Sequence, residues 1–190
     1  DWSTYKYGAD RDQLTKYCNN SEYGKDGFTD NKTVLDPEDD AAAVNWGGAW
    51  RMPTIAEQQE LLSNCTWTWT TQNGVNGYKV TGPNGNSIFL PIAGYMLRGT
   101  LTVAGSGVYY WSSSLYTDFS HSAYGVHFNS DDVFRVNIGR EYGLSVRPVY
   151  GVNNDNLDKN EYTITVSSNN SSYGSVSGGG TYEEGTSVTL

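Results

Sequence analysis

Two histidines are the side chains of this sequence that first suggest chemistry. His121 and His127 lie near Asp118, Asp131 and Asp132 within one short stretch. Imidazole and carboxylate groups bind metal ions and transfer protons, so this combination is compatible with a metal site or an acid–base site. The whole stretch is rich in polar residues, however, and this favours exposed loop side chains without such a role. We therefore predict neither a catalytic residue nor a metal ligand here.

Other groups that serve catalysis lack the surroundings that activate them. Ser112 to Ser114 follow Trp111 without any nucleophile motif. Glu57 and Glu60 are one helical turn apart, which favours helix capping and a solvated helix face over a catalytic carboxylate pair. Gly178-Gly179-Gly180 is followed by neither a lysine nor a helix pattern, so it is not a phosphate-binding loop. The sequence predicts a protein that is not an enzyme and that requires no cofactor.

An acidic run from Asp36 to Asp40 is a second place where a cation could bind. Asp36 is a good N-cap residue and Pro37 suits the first position of a helix, while acidic residues in the first turn complement the helix dipole. Gly47-Gly48 should end that helix. A calcium site is the alternative, but capping explains the acidic residues without a metal.

Cys18 and Cys65 are the two cysteines of the chain. They allow either one disulfide, between the N-terminal segment and the end of a helix, or two unpaired thiols, and both alternatives stay open. The chain has no CxxC motif and no Cys/His cluster, so the sequence does not predict a zinc site.

Two arginines, Arg140 and Arg147, are candidates for holding an acidic ligand. Arg147 stands directly before Pro148 in a strand-like stretch, which favours a structural hydrogen-bond donor. For Arg140 the structural and the ligand-binding roles both stay open.

The composition limits the class of partner. The chain has 190 residues and a formal net charge of −9, with many glycine and aromatic residues. An acidic chain is a poor partner for nucleic acid or for an anionic membrane surface. No apolar run approaches the roughly 20 residues that a membrane-spanning helix needs, so we predict no membrane insertion. The length suits one domain of ordinary size, or one domain plus a fragment of another.

The residue patterning predicts an α+β domain over residues 1–150. Thr54 and Glu57 form a capping box, so a helix should run from Thr54 to about Asn64. From Cys65 the apolar period becomes two, and Trp67 and Trp69 share one face of a half-buried strand. Such an indole pair either stacks on sugar or packs in a core, and its place beside a helix favours the core.

Several turns and strands follow along the chain. We predict turns at Asn73-Gly74 and Asn76-Gly77, a hairpin of residues 78–80 and 87–90 around Pro83-Asn84-Gly85, a small-residue loop over residues 99–107, and a strand at residues 109–111.

Residues 115–142 form a stretch of mixed aromatic and polar residues with weak periodicity, between two framework-like segments. Within it Tyr124, Val126 and Phe128 alternate and should face inward. Tyr, Ser, Asn and Gly are abundant in antibody-like binding surfaces, because Tyr gives a large contact area at small entropic cost. We therefore predict a display loop whose ligand-binding residues are Tyr116, Asp118, Phe119, His121, His127, Phe134, Asn137 and Tyr142.

The C-terminal part has a different composition. Residues 151–160 are a linker rich in Asn and Asp, and residues 161–190 begin a second, partial all-β module. Its predicted strands are Tyr162–Val166 and Ser187–Leu190, the second of which reaches the last residue. An incomplete β module exposes strand edges, so pairing with a strand of a neighbouring chain is expected.

Several motifs in one order resemble the FISUMP-type major paralogous domain of gut and rumen bacteria (Bacteroidetes and Fibrobacter-like surface proteins). The similarity covers about residues 1–150 and is carried by the segments 36–42, 50–54, 65–69, 80–82, 87–91, 93–95, 110–114 and 145–149. It implies a C-type-lectin-like fold, with two helices beside a small, irregular antiparallel sheet. Members of the family usually have an N-terminal strand before the part that begins here.

The tail resembles the divergent B-repeats of bacterial surface proteins of the internalin type. The matching segments are Tyr162–Val166, Gly174–Val176 and Tyr182–Gly185. Both resemblances imply an exported protein attached to the bacterial surface, often as a lipoprotein.

The family resemblance also bears on residues 115–142. In relatives whose genes are diversified by retroelements, the corresponding segment is variable and faces the ligand. Sugar-binding C-type lectins hold calcium with a loop of the acidic-Pro-Asn type and a Trp-Asn-Asp motif. This chain matches neither motif, since it has Gly82-Pro83-Asn84 and Trp111-Ser112-Ser113. We therefore expect a non-enzymatic adhesin-type module that recognises protein or glycan. The alternative is a structural stalk or a fimbrial or surface-assembly domain without a ligand of its own.

Overall fold

The computed structural model describes residues 1–151, 161–165, 177 and 179–183. The chain divides into two compact units, Asp1–Gly151 and Val152–Leu190. Two helices and several small antiparallel sheets confirm the α+β class, although the predicted single small sheet is replaced by separate ones. The elements are α1 Ala41–Trp46, β1 Trp50–Arg51, α2 Ile55–Asn64, β2 Thr66–Gln72, β3 Val75–Thr81, β4 Ser87–Pro91, β5 Tyr95–Leu97, β6 Thr100–Thr102, β7 Gly107–Leu115, β8 Ser122–Asn129, β9 Val133–Gly139, β10 Val149–Tyr150, β11 Glu161–Ile164 and β12 Gly180–Glu183.

Helix α2 begins as the sequence predicts. The Thr54 side chain accepts a hydrogen bond from the Glu57 amide, and the Glu57 carboxylate accepts one from the Thr54 amide, so the capping box is complete. The same carboxylate forms a two-pronged ion pair with Arg51, at 2.6 and 2.7 Å. Glu57 therefore has a structural role, and Glu60 is exposed on the outer side of the helix.

Helix α1 begins later than predicted, and Asp36 is not its N-cap. Asp40 caps it instead, because its carboxylate accepts hydrogen bonds from the amides of Ala42 and Ala43. The second oxygen of Asp40 accepts from the Met52 amide at 2.8 Å, which ties the helix start to the chain beyond β1. Residues 37–39 form a turn before this cap. Gly47, with a φ of 67°, ends the helix as predicted.

The core lies where two three-stranded sheets, β2-β3-β4 and β7-β8-β9, meet α2. Val126 and Phe128 are buried there as predicted, whereas Tyr124 is only half-buried. The predicted core role of the tryptophan pair is confirmed, because Trp67 contacts Phe128 at 5.8 Å between ring centroids. The buried core consists of Tyr78, Val80, Leu90, Ile92, Val108, Tyr110, Val126 and Phe128.

Three loop predictions were wrong, because backbone pairing places residues of each segment in strands. Asn76-Gly77 lies inside β3, and its glycine leaves room for Leu90 O, which an added Cβ would meet at 2.3 Å. Residues 100–102 form β6, which pairs with β5. Residues 115–142 are not one irregular loop, since β8, which contains the alternating residues 124–128, and β9 occupy most of them and form one sheet with β7.

The N-terminal forty residues contain no long strand and are anchored by a few buried side chains. Leu14, Tyr17 and Cys18 are buried, and edge contacts link Tyr5 to Tyr7 and Tyr7 to Tyr17. Tyr17 adopts a φ of 57°, which is rare for a bulky residue, while the carboxylate of Asp30 accepts from its amide at 2.8 Å. Surrounding hydrogen bonds hold this conformation.

Both cysteines are free thiols in this structure, so the alternative of two unpaired cysteines holds. Cys18 is buried and Cys65 is half-buried. Within the described ranges of the chain, neither helix reaches the length and apolar character that crossing a bilayer requires.

In the second unit, β11 and β12 form an antiparallel pair in which Thr163 lies opposite Thr181. Their hydroxyl oxygens are 3.3 Å apart. The predicted strand Ser187–Leu190 and most of the predicted linker lie outside the described residues.

Candidate ligand-binding surface

The eight predicted ligand-binding residues belong to β8, β9 and the segments that flank them. Antiparallel pairing sets Tyr124 opposite Asn137 and His127 opposite Phe134. Because neighbouring residues of a strand point to opposite faces, these two pairs lie on opposite faces of the sheet. The structure therefore divides the predicted site into two groups instead of gathering it on one face.

The first group, here called the Phe119 cluster, surrounds the turn between β7 and β8. The Phe119 ring lies 5.8 Å from Tyr116, 5.8 Å from His121 and 6.3 Å from Tyr23, measured between centroids. The Tyr116 ring continues the series to Tyr124 at 5.1 Å. Phe119 is 47% exposed, so a large apolar ring is available to a partner.

Polar groups border the Phe119 cluster. Asp118 is exposed, and its hydrogen bond with the Tyr116 hydroxyl raises the pKa of that tyrosine, with Asn137 acting in the opposite direction. Arg135 lies over the Tyr124 ring with its guanidinium carbon 5.3 Å from the centroid. The cluster thus offers aromatic faces together with a carboxylate, an amide and a guanidinium, which is a composition typical of recognition surfaces.

The second group, here called the His127 cluster, lies on the other face of the sheet. The His127 ring is 4.5 Å from Tyr109 on β7 and 5.0 Å from Phe134 on β9. Tyr109 contacts Tyr95 at 5.1 Å, and Tyr95 contacts Tyr142 at 5.8 Å. Phe134 is 46% exposed and forms the outer end of this series.

The pKa values of both His121 and His127 are lowered, which favours the neutral imidazole. Burial lowers the pKa of His121, and Arg11 and Arg140 lower it further, while Glu141 opposes them. Burial also lowers the pKa of His127, with Asp132 opposing. A neutral imidazole packed between aromatic rings acts as a flat contact surface, so these residues are suited to stacking instead of charge recognition.

His121 and Asn137 of the first group and Tyr142 of the second nevertheless line one shallow depression of about 370 Å³ at the β9 edge. Its other main residues, Trp2, Arg11 and Glu141, were not predicted from the sequence. Tyr23, Tyr95 and Tyr109, which complete the two clusters, were not predicted either. The strand pattern around residues 109–111 could have indicated Tyr109, because it alternates with buried neighbours. Tyr23 and Trp2 carry no local signal, since distant chain segments place them here.

Arg140, whose role the sequence left open, is a structural residue. Its terminal nitrogen donates to Tyr17 O at 2.9 Å, and the guanidinium lies 5.2 Å from the Tyr5 ring. The guanidinium is therefore committed to the N-terminal segment. Arg147 is exposed, and its guanidinium makes no hydrogen bond to the described part of the chain, so the predicted donor role is not seen.

Carboxylates of the acidic run, residues 36–40, form ion pairs with lysine side chains. Carboxylate oxygens of Asp36, Glu38 and Asp39 lie within 4.8 Å of one another, an arrangement that can hold a cation. The Lys16 ammonium lies 2.7, 3.4 and 2.6 Å from these three carboxylates in turn. Lys16 therefore supplies the positive charge that a metal ion would bring, and these hydrogen bonds to Asp36 and Asp39 raise its pKa.

Asp39 is the most densely bonded carboxylate of this run. Burial alone would raise its pKa, but hydrogen bonds from Lys16, Tyr17, Tyr7 and Lys6 outweigh burial and hold the pKa below its ordinary value. Its carboxylate is thus saturated with donors and has no free position for a metal or a ligand.

No protein-family model matches the chain, and no curated protein or solved structure matches it either.

Proposed function

We propose that residues 1–151 are a non-enzymatic recognition module of C-type-lectin-like fold, displayed on a bacterial surface, that binds a protein or glycan. The observation that carries the proposal is the pair of aromatic series around one β8–β9 hairpin, each of which contains a half-exposed phenylalanine, Phe119 or Phe134. Exposed aromatic rings with neighbouring polar groups are enriched at binding surfaces.

The Phe119 cluster is the stronger candidate for the ligand contact. Its rings stand beside Asp118 and Asn137, which can hydrogen-bond sugar hydroxyls or peptide groups, whereas the His127 cluster is mainly apolar. Aromatic faces that stack on a sugar or on an apolar side chain, with polar groups at the rim, are the arrangement that such partners require.

A second candidate function is structural assembly, as a stalk or surface-layer domain. The favouring observation is that β9 pairs with β8 on one side only, and no other backbone hydrogen bond to β9 residues 133–138 exists within the described ranges. An open strand edge can pair with a strand of another chain. The predicted pairing through the C-terminal module stays a prediction.

The test is a screen of the full chain against a glycan array and a panel of host proteins. Two variants separate the clusters: Asp118→Ala with Phe119→Ala, and Phe134→Ala alone. The matched control, Val75→Ala with Leu101→Ala, removes comparably exposed apolar side chains elsewhere. We expect the wild type and the control to bind the same partner and the Phe119-cluster variant to lose about tenfold or more in affinity.

Loss of binding only in the Phe134→Ala variant would move the ligand site to the other face of the sheet. Absence of any partner, together with concentration-dependent self-association in light scattering, would contradict the recognition module and support the assembly function.

A further inference from the structure

A cleft of about 540 Å³ lies apart from both aromatic clusters, between the N-terminal segment, α1 and the start of β8. None of the eight predicted ligand-binding residues lines it. Its apolar walls are Tyr5, Tyr7, Tyr17, Val34, Leu35, Val44, Met52, Trp111, Leu115, Ala123, Leu144 and Val146. This volume falls in the range of small-molecule sites, roughly 300–1,000 Å³.

Of the charged side chains along this cleft, Lys6, Glu38 and Asp39 have ion-pair partners, Lys6 with Asp39 and both acids with Lys16. The Asp39 carboxylate accepts hydrogen bonds from the Lys16 ammonium and the Tyr17 hydroxyl, both at 2.6 Å, and also from Tyr7. The Arg140 guanidinium donates to Tyr17 O, while its buried Nε has no hydrogen-bond partner within the described residues. The charged residues of the lining, Lys6 and Arg140 against Glu38 and Asp39, balance in sign, so an ion of either charge would lose its hydration in the cleft without a net attraction.

The serine hydroxyl groups of the cleft are engaged in hydrogen bonds. Ser112 donates to Tyr124 O at 2.8 Å, and the Ser114 oxygen accepts from the Ile55 amide at 3.1 Å. Ser113 lies 3.4 Å from Pro53 O. Since these polar groups are satisfied within the protein, the surface left for a ligand is mainly aromatic and aliphatic.

We propose that this cleft binds a neutral, aromatic small molecule. Apolar walls favour an apolar ligand, the balanced charges of the lining disfavour an ion, and the rings of Trp111, Tyr5 and Tyr7 supply aromatic contacts. The proposal does not depend on the recognition surface, because the two sites share no residue among those assigned to the clusters.

The probe for the test is N-phenyl-1-naphthylamine, a neutral aromatic dye whose fluorescence rises in apolar surroundings, titrated into the full chain. Ala123→Phe fills the cleft from its β8 wall, and Val75→Phe is the matched control, since Val75 is exposed on β3 and outside the cleft. We expect saturable binding to the wild type and to the control, and affinity about tenfold weaker or worse for Ala123→Phe. The anionic analogue 1-anilinonaphthalene-8-sulfonate should bind the wild type more weakly than the neutral dye.

A second measurement keeps the test decisive if Ala123→Phe fails to fold. Energy transfer from tryptophan to the bound dye should fall much more in Trp111→Phe than in Trp69→Phe, because only Trp111 lines the cleft. Absence of saturable binding, equal binding by a folded Ala123→Phe variant, or equal loss of transfer in the two tryptophan variants would each overturn the proposal.

Discussion

At the residue scale, the acidic side chains serve structure more than chemistry. Glu57 closes the capping box and binds Arg51, and Asp40 caps α1 while holding the Met52 amide. Asp39 collects donors from several segments of the N-terminal part. Protein N–H and O–H groups surround each of these carboxylates. These donors replace the water molecules that would otherwise solvate the anion.

Asp39→Asn should destabilise the domain by about 3 kcal/mol at neutral pH, because Lys16 and the tyrosine hydroxyls would lose their anionic acceptor. The folded-state pKa of Asp39 is lowered, so its stabilisation is complete above the unfolded value near 3.9 and disappears as the pH falls through the folded value.

Urea unfolding at pH 7 and at pH 3 checks this expectation. The wild type should lose more stability than Asp39→Asn between the two pH values, and Asp131→Asn, at an exposed site, should behave like the wild type. Equal pH sensitivity of the wild type and Asp39→Asn would show that Asp39 contributes nothing to the acid response.

At the element scale, the close pairing of β7 with β8 decides where the aromatic clusters stand. Gly125 lies opposite Trp111 in this pair, and a Cβ at Gly125 would meet Tyr110 O at 2.5 Å. The strands approach closely there because no side chain intervenes. Gln58 supports the other side of β7, since its amide nitrogen donates to Trp111 O at 3.0 Å.

Gly125→Ala should therefore destabilise the domain by about 2 kcal/mol, through displacement of β7 from β8. Gly107→Ala is the matched control in the same sheet, because its nearest neighbour to an added Cβ is 3.6 Å away. Thermal unfolding of both variants checks the difference, and equal melting temperatures would contradict the close-packing argument.

At the scale of the whole first unit, Arg140 joins the N-terminal segment to the sheet. It follows β9 directly, and its guanidinium donates to backbone carbonyls of Lys16 and Tyr17, more than 120 residues earlier in the chain. Asn19 adds a second connection by donating to Thr117 O at 2.8 Å. The N-terminal segment, which lacks long strands of its own, depends on such distant contacts for its position.

Arg140→Lys should loosen this segment, because a single ammonium cannot reproduce the planar fork of donors. We expect faster hydrogen exchange at the amides of residues 14–18 and a loss of about 2 kcal/mol in stability. Arg135→Lys, at an exposed position of β9, is the control and should leave exchange in that segment unchanged. Unchanged exchange in Arg140→Lys would contradict the anchoring role.

Local signals in the sequence were sufficient for the elements that depend on near neighbours. The capping box of α2, the alternation of Trp67 and Trp69, and the inward positions Val126 and Phe128 are all properties of short stretches, so they were predicted correctly. The start of α1 was not, because Asp40 is selected as the cap by its bond to the distant Met52 amide.

By itself, the sequence determined the α+β class and the aromatic and polar composition around residues 115–142. Only the tertiary structure decided how β8 and β9 pair within this stretch, that its predicted ligand-binding residues divide into two clusters, and that Tyr23 and Tyr109 complete them. The physical reason is that strand pairing and ring packing depend on which distant segments meet, and a periodicity along the chain carries no information about those partners.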